Sequence, residues 1–342
     1  MTVDELMGDT LERLLDAELD FDPTTRSGLS SHLPMALLAL DRLAAPDDRL
    51  VVFFDDYATG LVPLRPEAGI ELDGTTWTEV LGRRSAAGDL RRYFEHVVAA
   101  TDVDTALREY LPALVPGIGS AAFHGVIRLA YAVESNNPRQ VAAGLAYLAS
   151  VYLRLADAEL TDGENDDPVA LLADLRDHPQ LGRRTFGAGN ITVQMARVAR
   201  TPEFQDIGGV AIDARSLERI AFASVRLHAS TNDFTALHAV TGTHATRVLL
   251  PYLDAADRAR ALRFLFQAIA AAYLTIGSPP IETEADLARG PAPAWDSIVA
   301  AATASDDEHV IKLAYSARAE RDQWGHDPLY RRSAAREARL VA

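Results

Sequence analysis

The sequence predicts an all-α protein, and three observations carry that reading. Apolar residues recur at spacings of three to four from end to end, the period of a helix face. No run alternates apolar and polar residues as a half-buried strand does. Proline and glycine gather at Pro63 to Gly74, Pro112 to Gly119, Thr161 to Pro168, Gly182 to Gly189 and Gly277 to Pro293, and each cluster punctuates the helical pattern as a loop.

In chain order, the spacing predicts helices over residues 4–19, 31–43, 87–99, 103–111, 121–133, 138–156, 168–175, 214–228, 233–249, 255–273, 295–303 and 306–321. The second opens Ser30-Ser-His-Leu-Pro34, where a serine caps and proline fits the first turn. The run from Ala261 to Ile276 is the most apolar, but Arg263 and Gln267 interrupt it, so it reads as a buried helix rather than a membrane span. The last helix begins at Ser305-Asp-Asp-Glu308, a capping box with serine at the N-cap and glutamate three residues on. Leu50-Val-Val-Phe-Phe54 is short enough for a strand and equally continues a helix through Tyr57. No repeat of 20–50 residues appears, so the expectation is one large bundle-like domain over residues 1–342 with little or no sheet. Its best surface break is the acidic stretch within 161–168.

Composition narrows the chemistry. The 342 residues carry a net charge of −16, which opposes nucleic-acid phosphates and excludes that partner class. No apolar stretch reaches membrane-spanning length, and Met1-Thr-Val-Asp-Glu lacks the basic and apolar regions of a secretory signal, so a cytoplasmic location is expected. With no cysteine, any metal must be held by nitrogen and oxygen. Of the 33 positive residues, Lys312 is the one lysine and the rest are arginine. Arginine stays protonated, whereas a buried lysine can lose its proton and act as a nucleophile, a base or a carbamate.

Five of the nine histidines lie among apolar and small residues: His32, His124, His238, His244 and His309. Ala121 and Gly125 flank His124 and leave room for a ligand close to its helix. A spacing of six turns His244 about 120° away from His238 on a regular helix, so one is a ligand and the other a neighbour. His238 is the choice, because Thr241 and Ala245 follow it on the same face. His309 and Lys312, three apart, share a helix face with apolar neighbours Val310, Ile311 and Leu313. A lysine buried there has a lowered pKa, and its neutral amine can add carbon dioxide to present carbamate oxygen to a metal.

Four segments together resemble the questin oxidase-like family, an all-α group that includes tailoring enzymes of anthraquinone-derived polyketide pathways. They are Ser31-His-Leu-Pro-Met-Ala-Leu-Leu-Ala-Leu40, Phe123-His-Gly-Val-Ile-Arg-Leu-Ala-Tyr-Ala-Val-Glu134, Leu237-His-Ala-Val-Thr-Gly-Thr-His-Ala-Thr-Arg247 and His309-Val-Ile-Lys-Leu313. The resemblance implies an oxidoreductase, a mono- or dioxygenase that oxidises or opens a quinone ring with dioxygen at non-haem iron. It carries over His32, His124, His238 and His309 as nitrogen ligands, with His244 the alternative to His309, and Lys312 as the carboxylated ligand. Fe(II) is the metal implied, and the same nitrogen and oxygen donors also suit zinc or manganese. The partners expected are a small aromatic substrate and O2, with the ring against Phe123, Tyr131 and Leu237. NADPH enters only as an external reductant, since Phe186-Gly-Ala-Gly-Asn-Ile has no βαβ setting for a dinucleotide. Arg128 and Arg247 are expected to pair with acidic neighbours, and the loops Thr185 to Ile191 and Gly277 to Pro293 are the candidates for a lid. Two other readings fit the residues: a metal-dependent hydrolase, since carbamylated lysine and histidine also build zinc sites, and a helical binding protein whose histidines are structural.

Overall fold

Asparagine and aspartate start many of the helices, their side chains accepting the backbone N–H groups that a first turn leaves unpaired. Asp102, Asn137, Asp167, Asn190, Asp233, Asp254 and Asp307 all cap in this way. The computed structural model describes residues 3–155, 160, 163–205, 209–289 and 293–341, with side chains from Thr10 onward. Its helices are α1 (Val3–Glu18), α2 (Leu33–Arg42), α3 (Asp47–Ala58), α4 (Ala87–Ala100), α5 (Val103–Leu114), α6 (His124–Glu134), α7 (Pro138–Ser150), α8 (Pro168–Asp177) and α9 (Ile191–Ala199). They continue as α10 (Pro202–Gln205), α11 (Ser216–Thr231), α12 (Phe234–Leu249), α13 (Ala255–Thr275), α14 (Glu284–Leu287), α15 (Trp295–Thr303), α16 (Glu308–Trp324) and α17 (Asp327–Glu337). Among the described residues there is no strand, only the isolated bridges Phe21 to Pro63 and Thr24 to Ser30. The fold is all-α, and no described helix is long and apolar enough to cross a membrane.

Several boundaries differ from the sequence reading, each for a local reason. Leu50 to Phe54 belongs to α3, because Leu50 and Phe53 bury one face while Val52 stays 51% exposed. The helix expected from Ala121 starts only at His124: Ala121, Ala122 and Phe123 have φ of 49°, 55° and 67°, a left-handed turn. The helix from Pro138 ends at Ser150, where Ser120 Oγ accepts the Leu153 N–H at 2.7 Å and draws the chain aside. Asp307, not Ser305, is the N-cap of α16, accepting the His309 N–H at 2.9 Å, while Ser305 Oγ accepts the Asp307 N–H at 3.0 Å. Likewise His32 is the N-cap of α2, with Ser31 Oγ 3.4 Å from the Leu33 N–H. Helices α9, α10, α14 and α17 were not anticipated. The last is polar in sequence, yet Leu329, Tyr330, Ala334 and Ala335 bury where it packs on α11 and α16.

Four helices pack in a closed cycle: α2 on α6, α6 on α12, α12 on α16 and α16 back on α2. Every residue of α2 from Leu33 to Leu40 is buried, as befits a helix apolar on all sides. Close approach around the cycle uses glycine. A Cβ at Gly242 of α12 would lie 2.6 Å from Cδ1 of Phe123, the residue immediately before α6. One at Gly144 of α7 would lie 2.9 Å from the Leu129 Cα on α6. Neither position has space for a methyl group.

Candidate metal centre

The helix cycle brings four imidazoles to one place. His32 caps α2, His124 opens α6, His238 lies one turn into α12, and His309 stands in the first turn of α16. Their rings form a closed circuit in the order of the helices. Centroids are 4.5 Å apart for His32 and His124, 4.7 Å for His124 and His238, 5.6 Å for His238 and His309, and 4.7 Å for His309 and His32. With metal–nitrogen bonds of about 2.1 Å, imidazoles at right angles around one ion have centroids on the order of 4.5 Å apart. The ring spacing fits a shared ion. One donor atom from each of His32, Glu308 and His309 already lies within 4.8 Å of the others.

Hydrogen bonds orient three of the rings so that the same nitrogen is left over. His124 Nδ1–H donates to Ala121 O at 2.6 Å and His238 Nδ1–H to Phe234 O at 2.7 Å. His309 Nδ1–H donates to Asp307 Oδ1 at 3.1 Å. In each case Nε2 is buried without a hydrogen-bond partner. Three orphaned acceptors in one cluster cost free energy unless something occupies them. An outer hydrogen bond that fixes Nδ1–H and frees Nε2 is the arrangement metal-binding histidines use. The left-handed turn before α6 supports it, since Ala121 carries the carbonyl that holds His124. Such φ values cost about 1–2 kcal/mol per non-glycine residue and persist where the surroundings enforce them.

Burial and neighbouring positive charge hold His32, His124 and His238 towards the neutral form that ligates. Burial, then the charges of Lys312 and neighbouring histidines, hold His32 well below its ordinary pKa, and burial and Lys312 push His124 down to about 3. His238 is lowered by burial, His124 and Lys312. Asp307 is pulled down to about 2, first by its hydrogen bond to His309.

Lys312 is buried beside His32, 0% exposed, its Nζ donating to His32 Nδ1 at 3.1 Å. Burial lowers its pKa to about 8, with Glu308 and Asp307 pulling the other way. The amine therefore has a sizeable neutral fraction near neutral pH. His32 Nδ1 also lies 3.2 Å from Glu308 Oε1.

The cluster opens onto a cavity of about 590 Å³, within the usual size of small-molecule sites. All four histidines and Glu308 line it, with Leu29, Leu61, Ile191, Phe234 and Tyr57 supplying most of its large apolar surface. Phe123, Tyr131 and Leu237, the expected ring contacts, do not. Phe123 is buried against Gly242, the Tyr131 hydroxyl pairs with Ser316 Oγ at 2.7 Å, and Leu237 packs with Val240 and Leu313. From the first candidate lid, Gly189, Asn190 and Ile191 reach the cavity wall; from the second, no described residue does, and 290–292 lie outside the described residues.

His244 is placed elsewhere. Fully buried, it donates from Nδ1 to Glu320 Oε1 at 2.9 Å and from Nε2 to Glu134 Oε2 at 3.4 Å. Burial alone would lower its pKa, but the two carboxylates outweigh it and raise it to about 9. It is an ion-paired imidazolium with no free nitrogen. Arg247 pairs with Glu320 at 2.6 Å, and Arg128 meets both oxygens of Glu18 at 2.9 Å inside the core.

Sequence reasoning overlooked four side chains at the site. Asp307 and Glu308 were absorbed into the capping box, although two carboxylates directly before a candidate ligand were a signal in themselves. Tyr57, whose hydroxyl accepts the His32 N–H at 3.0 Å, and Arg84, in the cavity wall, lie far from any motif and gave none.

Comparison with known proteins identifies the family. The family described as Questin oxidase-like matches residues 29–317. No curated protein matches the chain. The matched span takes in every clustered side chain from His32 to Lys312; the chain belongs to the questin oxidase-like family, and that membership implies an oxidoreductase.

Proposed function

We propose that the protein is a metal-dependent oxygenase that oxidises or opens a ring of an aromatic, quinone-like substrate with dioxygen. The ion is non-haem iron(II), held by His32, His124, His238, His309 and a carboxylated Lys312. The observation that carries this reading is the closed circuit of four imidazoles at the cavity wall, three with Nε2 buried and unpartnered. Iron bound there supplies the redox capacity that ring oxidation by dioxygen requires.

The chain's own residues do the rest. The neutral Lys312 amine adds to carbon dioxide, forming the N–C bond as one C=O π bond opens to the carbamate oxyanion, and the ammonium proton is released to water; burial lowers the lysine pKa and so supplies the neutral amine. Leu29, Leu61, Ile191 and Phe234 offer apolar surface on which a flat ring can pack. Tyr57 accepts a hydrogen bond from the His32 backbone, which leaves its own O–H to donate to a substrate oxygen. Burial first, then Glu308, raises the phenol pKa and keeps it a neutral donor. Any nicotinamide reductant comes from outside the chain, because Phe186 to Asn190 is loop with no strand before it.

The deciding experiment is metal analysis of protein made in iron-replete medium, followed by oxygen uptake with hydroxyanthraquinones. Stoichiometric iron and substrate-dependent oxygen consumption are expected. Protein without metal after reconstitution with iron, zinc and manganese overturns the reading.

Asp307→Ala tests the orienting bond to His309. It removes the cap of α16, at a cost of about 1 kcal/mol in urea unfolding of the metal-free protein. It also frees the His309 ring, which is expected to weaken iron binding roughly 10–100-fold in competition with a chelator. Asp307→Asn keeps a capping oxygen, so stability should recover more than affinity.

A further inference from the structure

We infer that the substrate carries an anionic oxygen, a carboxylate or phenolate, and that Arg84 receives it. This rests on the proposed function in that it assigns the cavity to the substrate. Among the described residues, Arg84 is the one arginine or lysine in the cavity wall and Glu308 the one carboxylate. Most arginines near acidic groups are paired, as at Arg49, Arg65, Arg91 and Arg92. Arg84 has no carboxylate within ion-pair distance among the described residues. Among the described residues it donates only a long bond of 3.5 Å from Nη1 to Gly28 O. Arg84 is exposed at the mouth of the cavity, and an exposed guanidinium whose donors no described protein group takes is free to turn a fork of N–H groups onto an oxyanion entering there.

The surrounding chemistry agrees. In a chain of net charge −16, the described residues of this wall include one acidic side chain against an arginine and four imidazoles that a cation would complete. With the imidazoles neutral, Arg84 and Glu308 balance, so the wall is spared the negative charge of the protein as a whole and becomes net positive once a divalent cation is bound, which draws an anion to the cavity. Thr25, Ser27 and Ser30 of the loop that Arg84 contacts add hydroxyls to the wall. Leu29 and Phe234 are 54% and 51% exposed while also lining the cavity, an apolar contribution suited to an aromatic body. A flat apolar ring bearing one acidic group satisfies both features.

The test uses a matched pair of probes, anthraquinone-2-carboxylate and its neutral carboxamide, titrated into iron-loaded wild type and Arg84→Gln by calorimetry. Wild type is expected to prefer the carboxylate roughly tenfold, with the preference falling as salt rises. Arg84→Gln should lose that preference, bind the carboxamide as before and keep its iron, while Arg84→Lys recovers part of it. Equal binding of the two probes by wild type, binding of neither, or a preference that survives in Arg84→Gln overturns the inference. Iron content, measured on the same samples, reports separately on the metal assignment.

Discussion

Lys312→Met is expected to lose iron almost completely while remaining folded. Lys312 is wholly buried, and methionine fills nearly the same space without a charge that needs a partner. The metal loses an anionic oxygen donor, a change of at least roughly a hundredfold in affinity. Lys312→Arg should behave the same way towards iron and be less stable, because a guanidinium cannot shed its proton in a site this dry. Lys312→Ala leaves a void beside His32, and added acetate or formate should restore part of the iron binding by supplying the missing carboxylate. In the diamagnetic zinc form, labelling with carbon-13 bicarbonate should give a carbamate resonance that Lys312→Met lacks. Glu308 is the comparator, since its carboxylate lies within reach of His32 and His309. Full iron in Lys312→Met together with loss in Glu308→Gln would reassign the oxygen donor to Glu308.

The second large effect lies away from the cavity, at the His244 ion-pair group. Glu320 is nearly inaccessible and accepts from His244 Nδ1 at 2.9 Å, Arg247 Nε at 2.6 Å and Trp324 Nε1 at 2.7 Å. Glu320→Ala leaves a buried imidazolium beside an arginine with one carboxylate gone, and is expected to cost about 3–5 kcal/mol in urea unfolding at pH 7. Glu320→Gln retains an acceptor and should cost less. The pH dependence follows from the raised His244 pKa of about 9. In the window above the unfolded value near 6.5, the native state keeps a proton that the unfolded chain releases. This contribution is therefore complete below that value and is lost as pH rises through about 9. Unfolding at pH 6.5 and pH 9.5 checks it: the difference should be larger in wild type than in Glu320→Gln. Glu134 and Glu320 are lowered by His244 despite their burial, so their contribution is lost at the acid end.

Much of the helical order was legible because helix periodicity is a local property. The three-to-four spacing marked α12 and α13 closely, and failed at α17, where burial of Leu329 and Tyr330 depends on α16 being present to pack against. The left-handed turn at Ala121 to Phe123 left no compositional trace, since neither alanine nor phenylalanine favours positive φ. That turn exists because the packing around Phe123 and Gly242 enforces it. The six-residue spacing correctly implied that His238 and His244 point apart. Which of them faces the cavity was settled by Glu320, 76 residues further along.

The sequence by itself determined the all-α class, the restriction to nitrogen and oxygen donors and the singularity of Lys312, because these depend on composition and local period. The tertiary structure alone decided that His32 meets Lys312 across 280 residues, that Glu308 enters the cavity rather than closing a cap, and that Arg84 stands in its wall. Such contacts follow from how α2, α6, α12 and α16 close their cycle, and that closure is set by shape and burial summed over the whole core, which no local window of sequence contains.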